Sequence, residues 1–134
     1  MLEEILTVYV KLEDTVWING NTVNVNMIRF SGYAESRYFK GKILPGGVDL
    51  QRGKTDGVMN LSARYIMEGT DIENHKCRIF IENNGFADEK GIIKTKPVVV
   101  TDSKALGWLE AADLEGSITS EDDMVIIHIC KCVS

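Results

Sequence analysis

Asp49 and Arg64 are the two side chains whose chemistry and spacing best suit catalysis. A hairpin loop at Gly53-Lys54-Thr55-Asp56-Gly57 folds the segment carrying Arg64 back on that of Asp49, setting Arg64 opposite Gly46 or Gly47 with Asp49 one diagonal away. In a partly enclosed space, a carboxylate held by a guanidinium can act as general base while the arginine stabilises a developing anion. The same two residues can equally form a structural salt bridge, and a slip of one residue in the register turns them to opposite faces. Gly46-Gly47 offers backbone amides that a ligand oxygen can approach closely, although a β-bulge or tight bend uses such a pair for curvature alone.

His128, Cys130 and Cys132 alternate along one face of a strand segment and are of metal-ligating type. Their spacing argues against a metal: same-face neighbours on a strand start near 7 Å apart, whereas bound donor atoms sit within about 4 Å of one another. A core face with thiols acting as small hydrophobes is the expectation, and no metal is assigned. Neither a Gly-rich phosphate loop, a His-Glu-x-x-His helix, a Cys-x-x-Cys knuckle nor a Ser-His-Asp order occurs, so no cofactor is expected.

The elements that must position these residues are strands. Leu6, Val8, Val10 and Leu12 alternate with Thr7, Tyr9 and Lys11, a period of two, and Asn19-Gly20-Asn21 supplies the positive φ angles of a tight hairpin turn. Further strands are expected at 15–18, 22–31, 33–44, 48–52, 58–68, 76–83, 91–100, 112–119 and 124–133, with turn signals roughly every 8–12 residues, the spacing of a sandwich or barrel. One short helix is expected near residues 103–111, plugging a barrel end with Leu106, Trp108 or Leu109 turned inward. In the segment 59–68, Met59, Leu61, Ala63, Tyr65 and Met67 make one apolar stripe; the other face, with Asn60, Ser62, Arg64 and Glu68, is either the exterior or an unusually polar lumen. The last strand and that around Phe80 are apolar on both faces, which points to a covered outer wall and a homodimer.

Composition sets the frame. With 134 residues the expectation is one domain over 1–134, and 15 Lys+Arg against 20 Asp+Glu give a net charge of −5 that argues against nucleic acid and an anionic membrane as partners. The three cysteines, an odd number, fit a reducing compartment, and the acidic start Met1-Leu2-Glu3-Glu4 lacks the basic flank of a signal peptide; a cytoplasmic location is expected.

From Gly41 to Asp49 the chain reads Gly-Lys-Ile-Leu-Pro-Gly-Gly-Val-Asp, which resembles the Gly-x-Val-Leu-Pro-Gly-Gly-Ala-Asp-Trp signature of the domain of unknown function 3237 family, also called uncharacterised protein family 0311. Asp56-Gly57 with Leu61-Ser62-Ala63-Arg64-Tyr65 is similar to that family's Asp-Gly and Leu-x-Ala-Arg-Tyr segments, and Ile79 to Gly85 resembles its Ile-Tyr-Val-x-Asn-x-Gly strand end. Leu50 stands where the family has Trp, and Ile72-Glu73-Asn74 replaces an Asp-Gly. The resemblance implies a single antiparallel β-barrel of about ten strands, lipocalin- or calycin-like, and implies no settled activity.

Two functions are therefore weighed. One is a barrel that binds a small molecule at Gly46, Gly47, Asp49, Arg64, Asn83 and Trp108, extending to cofactor-free acid–base chemistry such as isomerisation, cyclisation or elimination. The other is a non-catalytic homo-oligomeric module with a filled barrel. A cavity of a few hundred Å3 with convergent polar groups favours the first, and an interior packed with aliphatic side chains favours the second.

Overall fold

The computed structural model describes residues 1–54, 57–88 and 90–133. Among the described residues nine strands form one antiparallel sheet: β1 (Leu2–Asn19), β2 (Asn24–Glu35), β3 (Phe39–Ile43), β4 (Val48–Gly53), β5 (Met59–Asp71), β6 (Lys76–Ala87), β7 (Ile93–Thr101), β8 (Leu114–Glu121) and β9 (Met124–Cys132). The sheet closes on itself because β1 pairs with β9 on one side and with β2 on the other. The all-β, barrel-like architecture expected from the alternating sequence is the one observed. The long β1 absorbs two of the expected strands, while the expected strand 33–44 divides between the end of β2 and β3.

The ring has eight positions rather than nine. β3 and β4 run in the same direction and lie end to end between β2 and β5, β3 pairing with Met67–Asp71 and β4 with Met59–Arg64 of β5. Between the pairs Ile43–Met67 and Val48–Arg64, four residues oppose two, so Leu44-Pro45-Gly46-Gly47 is a large bulge in one interrupted strand. Gly46 has a φ of 114°, a conformation open to glycine and strained for other residues. A Cβ on Gly47 would lie 3.1 Å from the ring of Phe30. The curvature reading of this glycine pair is thus the observed one. The hairpin loop between β4 and β5 includes Thr55 and Asp56, which lie outside the described residues.

Parity then follows the sequence. Leu6, Val8 and Val10 of β1, Tyr65 and Met67 of β5, Cys77, Ile79 and Ile81 of β6, Val99 of β7 and Ile127 and Ile129 of β9 all point inward and are buried. One end is closed by a short 3-10 turn, Gly107–Glu110, which buries Leu106 and Leu109 completely. It is anchored by the Ser103 hydroxyl, which donates to Asp71 Oδ2 at 2.7 Å and accepts from the Leu106 amide at 3.1 Å. That donation comes first in holding the Asp71 carboxyl below the usual range, with the amides of His75 and Glu73 adding to it. Trp108 is turned outward at 37 % exposure, edge-on to Tyr38 and beneath the Lys131 ammonium, which corrects the expectation that it faces the lumen.

Candidate functional site

Away from the plug the lumen is not filled. A cavity of about 60 Å3 lies among Val10, Phe30, Leu61, Ile118 and Ile127, with the half-exposed Leu12 at its rim. Into this apolar space three polar side chains project: Asp49 from β4, Asn83 from β6 and Thr95 from β7. Asp49, Ala63, Asn83 and Pro97 form one row of direct cross-strand partners. Asp49 and Asn83 are therefore two strands apart, with backbones about 10 Å from each other, and only the methyl group of Ala63 stands between them in that row. Thr95 is on the neighbouring row, opposite Gly116 of β8. A Cβ at Gly116 would lie 2.1 Å from Thr95 Oγ1 and 3.2 Å from Asn83 Oδ1, so both oxygens converge on the space that this glycine leaves open.

The three groups share an unusual electrostatic condition. Asn83 is 3 % exposed and Thr95 5 %, yet Asn83 Oδ1, Thr95 Oγ1 and Asp49 Oδ1 are shielded from solvent without a hydrogen-bond partner among the described residues. A buried oxygen left in this way costs about 1–3 kcal/mol, so sequences seldom retain three together without a use for them. Burial pushes the Asp49 carboxyl above its ordinary range, opposed by the Gln51 amide, which donates to Asp49 Oδ2 at 3.2 Å. Asn26 in turn donates to Gln51 Oε1 at 3.4 Å, so the carboxylate is held from the mouth by a short amide relay. The Tyr65 hydroxyl is a fourth shielded oxygen without a partner; its ring packs edge-on to Phe30, and burial raises its pKa.

The structure separates the residues that the sequence grouped. Asp49 and Asn83 come together in the lumen. Arg64 does not join them: its direct partner is Val48, so it shares the outer face, and its guanidinium lies 2.9 Å from Glu82 with the side chain about half exposed. The structural salt bridge is therefore the observed arrangement, made with Glu82 rather than Asp49, and Asn60, Ser62, Arg64 and Glu68 belong to the exterior. The β4–β5 hairpin sets this register, its pairs running unbroken from Gly53–Met59 to Val48–Arg64, so that Arg64 meets Val48 instead of Gly46 or Gly47. Gly46 and Gly47 line an outer groove of about 280 Å3 together with Arg64, Ile66 and Phe80. Trp108 sits at the plugged end, where Glu110 accepts from the Thr101 amide, six residues or about 20 Å along β7 from Thr95.

Sequence reasoning missed Thr95 and Gly116. Thr95 has the parity of Ile93, Pro97 and Val99, and a hydroxyl on an otherwise apolar face was the available signal. His128 faces outward with both ring nitrogens engaged, Nδ1 with Glu4 at 3.0 Å and Nε2 with Thr119 at 2.8 Å. Cys77, Cys130 and Cys132 are free thiols, raised in pKa first by burial. No helix among the described residues is long and apolar enough to cross a membrane.

Comparison with known proteins places the chain among relatives. It is 46% identical over 55 residues to a protein of uncharacterised protein family 0311 from Clostridium acetobutylicum; the match spans 41% of this chain and 32% of that relative. A crystal structure of a protein of unknown function from the same organism covers 99% of both chains with a TM-score of 0.83 at 25% identity. A β-barrel-like protein from Acinetobacter baumannii shares the fold, with a TM-score of 0.80 at 19% identity over 98% of this chain and 94% of that one. The profile of the proteins of unknown function 3237 matches residues 1–96, and the chain belongs to that family.

Proposed function

We propose that this protein binds a small molecule in its lumen, as lipocalin-like barrels do, and that Asp49 is the group able to act on it. The observation that carries this reading is the convergence of Asp49, Asn83 and Thr95, three shielded and unpartnered oxygens, on a space otherwise lined by aliphatic and aromatic side chains. An eight-position barrel is just wide enough to be filled by side chains or to hold one small ligand, and Ala63 and Gly116 take the second course here. The cavity, at about 60 Å3, is narrower than the few hundred Å3 of a drug-sized site, so the ligand is slim or lies partly in the mouth. A buried carboxyl with a raised pKa is a stronger base than a solvated one and is suited to take and return a proton, the requirement of a cofactor-free isomerase, cyclase or lyase. Arg64, Gly46, Gly47 and Trp108 take no part in this site.

The test is a crystal structure of protein purified without denaturation, with mass spectrometry of its denatured extract. A small molecule beside Asp49 and Asn83 supports the proposal, and a lumen closed over by its own side chains in both measurements overturns it. A second reading rests on a separate observation. Ile66, Phe80 and Val100 form one directly paired outer row beside Val98, with Ile66, Val98 and Val100 each at least 39 % exposed, a surface suited to a homodimer. Sedimentation velocity of Val100→Glu against the parent protein tests it.

A further inference from the structure

The lumen carries formal charge of one sign only among its described lining residues. Among the described residues, the cavity lining includes Asp49, Asn83 and Thr95 and contains no lysine, arginine or histidine. Of the lining atoms, those left without partners are a carboxylate oxygen, an amide carbonyl oxygen and a hydroxyl oxygen. The first two accept hydrogen bonds, and the third accepts as readily as it donates. The lysines nearest this part of the wall, Lys94 and Lys96, flank Thr95 on β7 and so point to the outer face, where Lys96 lies 3.6 Å from Asp113 and 3.8 Å from Glu115. An anion entering this cavity would meet the Asp49 carboxylate in a desolvated space, Lys94 and Lys96 lining only the neighbouring groove of about 580 Å3 that Thr95 and Gly116 share.

Resting on the lumen reading above, we propose that the site takes a slim ligand with an apolar body that presents hydrogen-bond donors, an alcohol or an amine, and that it rejects carboxylates and phosphates. Asp49 Oδ1 and Asn83 Oδ1 receive the donors. Asp49 supplies the rejection, since it is the one charged group in the lining among the described residues.

Three four-carbon probes differ only in the head group: 1-butanol, butylammonium and butyrate. Each is titrated at neutral pH into the 15N-labelled full chain, and the side-chain amide of Asn83 and the backbone amides of Thr95 and Gly116 report binding in the lumen. The alcohol and the ammonium are expected to shift these signals, with butyrate at least about tenfold weaker. Butyrate binding as well as butanol overturns donor selection while leaving the lumen reading intact; no shift at these three residues with any probe overturns the lumen reading itself. The Asp49→Asn variant keeps the shape and removes the charge, so the gap between butanol and butyrate is expected to close. A gap that persists in a folded Asp49→Asn protein overturns the assignment of rejection to Asp49.

Discussion

The stability of Thr95→Val measures whether the lumen oxygens are held in reserve. The two side chains have nearly the same shape, so the substitution removes one hydroxyl and changes little else. Thr95 is 5 % exposed, its Oγ1 has no protein partner, and its β-strand position suits a β-branched side chain equally in either residue. Leaving such a group unpaired costs about 1–3 kcal/mol, and that cost is recovered when a methyl group replaces the hydroxyl. At roughly 3–5 °C per kcal/mol for a chain of this size, the melting temperature of Thr95→Val is expected to rise by about 3–15 °C. Differential scanning calorimetry and urea melts of ligand-free protein report the change. A loss of about 1 kcal/mol or more would contradict this, because it would show that the hydroxyl already makes a hydrogen bond in the ligand-free lumen, to the protein or to a water. The same variant is expected to bind a lumen ligand less well, so stability and binding move in opposite directions, as they do where a fold keeps a site at its own expense.

Three further outcomes follow from the geometry. Arg64→Ala is expected to change stability by less than about 1 kcal/mol, since its pair with Glu82 is on the exposed face, and to leave lumen binding untouched; a clear loss of binding in titration calorimetry would return Arg64 to the site. Leu106→Ala removes a fully buried side chain from the plug and is expected to cost about 2–5 kcal/mol in urea melts, with a smaller loss showing that the barrel end closes without it. Burial raises the Asp49 carboxyl above its ordinary 3.8, so its stabilising contribution is present below that pH and is lost as pH rises through the folded-state value. The stability of Asp49→Asn relative to the parent protein is therefore expected to improve as pH climbs from about 4 towards neutrality, and parallel pH profiles in urea melts would contradict this.

Much of this molecule was legible before any coordinates. Alternation in Leu6 to Leu12 and in Met59 to Met67 announced strands with one buried face, and Asn19-Gly20 marked a hairpin whose first closing contact is Gly20 N to Val23 O at 2.9 Å. The Gly-rich motif before Asp49 was visible as a family signature, and Leu106 and Leu109 were recognisable as a plug. The reading failed where it had to carry a register across a turn. Gly46-Gly47, read either as a ligand approach or as a bulge, form the bulge that lets β3 and β4 share one barrel position, while the β4–β5 hairpin pairs Arg64 with Val48 instead of Gly46 or Gly47. Trp108 was misplaced for a related reason: in a 3-10 turn of four residues, the closure of the barrel end admits Leu106 and Leu109 and leaves the larger ring outside.

Within a strand, covalent geometry alone determines that alternate residues share a face, so the sequence by itself settled the pairing of Tyr65 with Ala63 and of Asn83 with Ile81 as common faces. Which face is the lumen, and which residues of different strands meet there, is set by hydrogen-bond register around a closed ring. Asp49, Asn83 and Thr95 are distant in sequence and belong to three strands, and they converge because ring closure fixes Asp49 to Ala63, Ala63 to Asn83 and Thr95 to Gly116. One residue of slip in any of those pairings would have sent its carboxylate, amide or hydroxyl out to water, and only the tertiary structure decides against it.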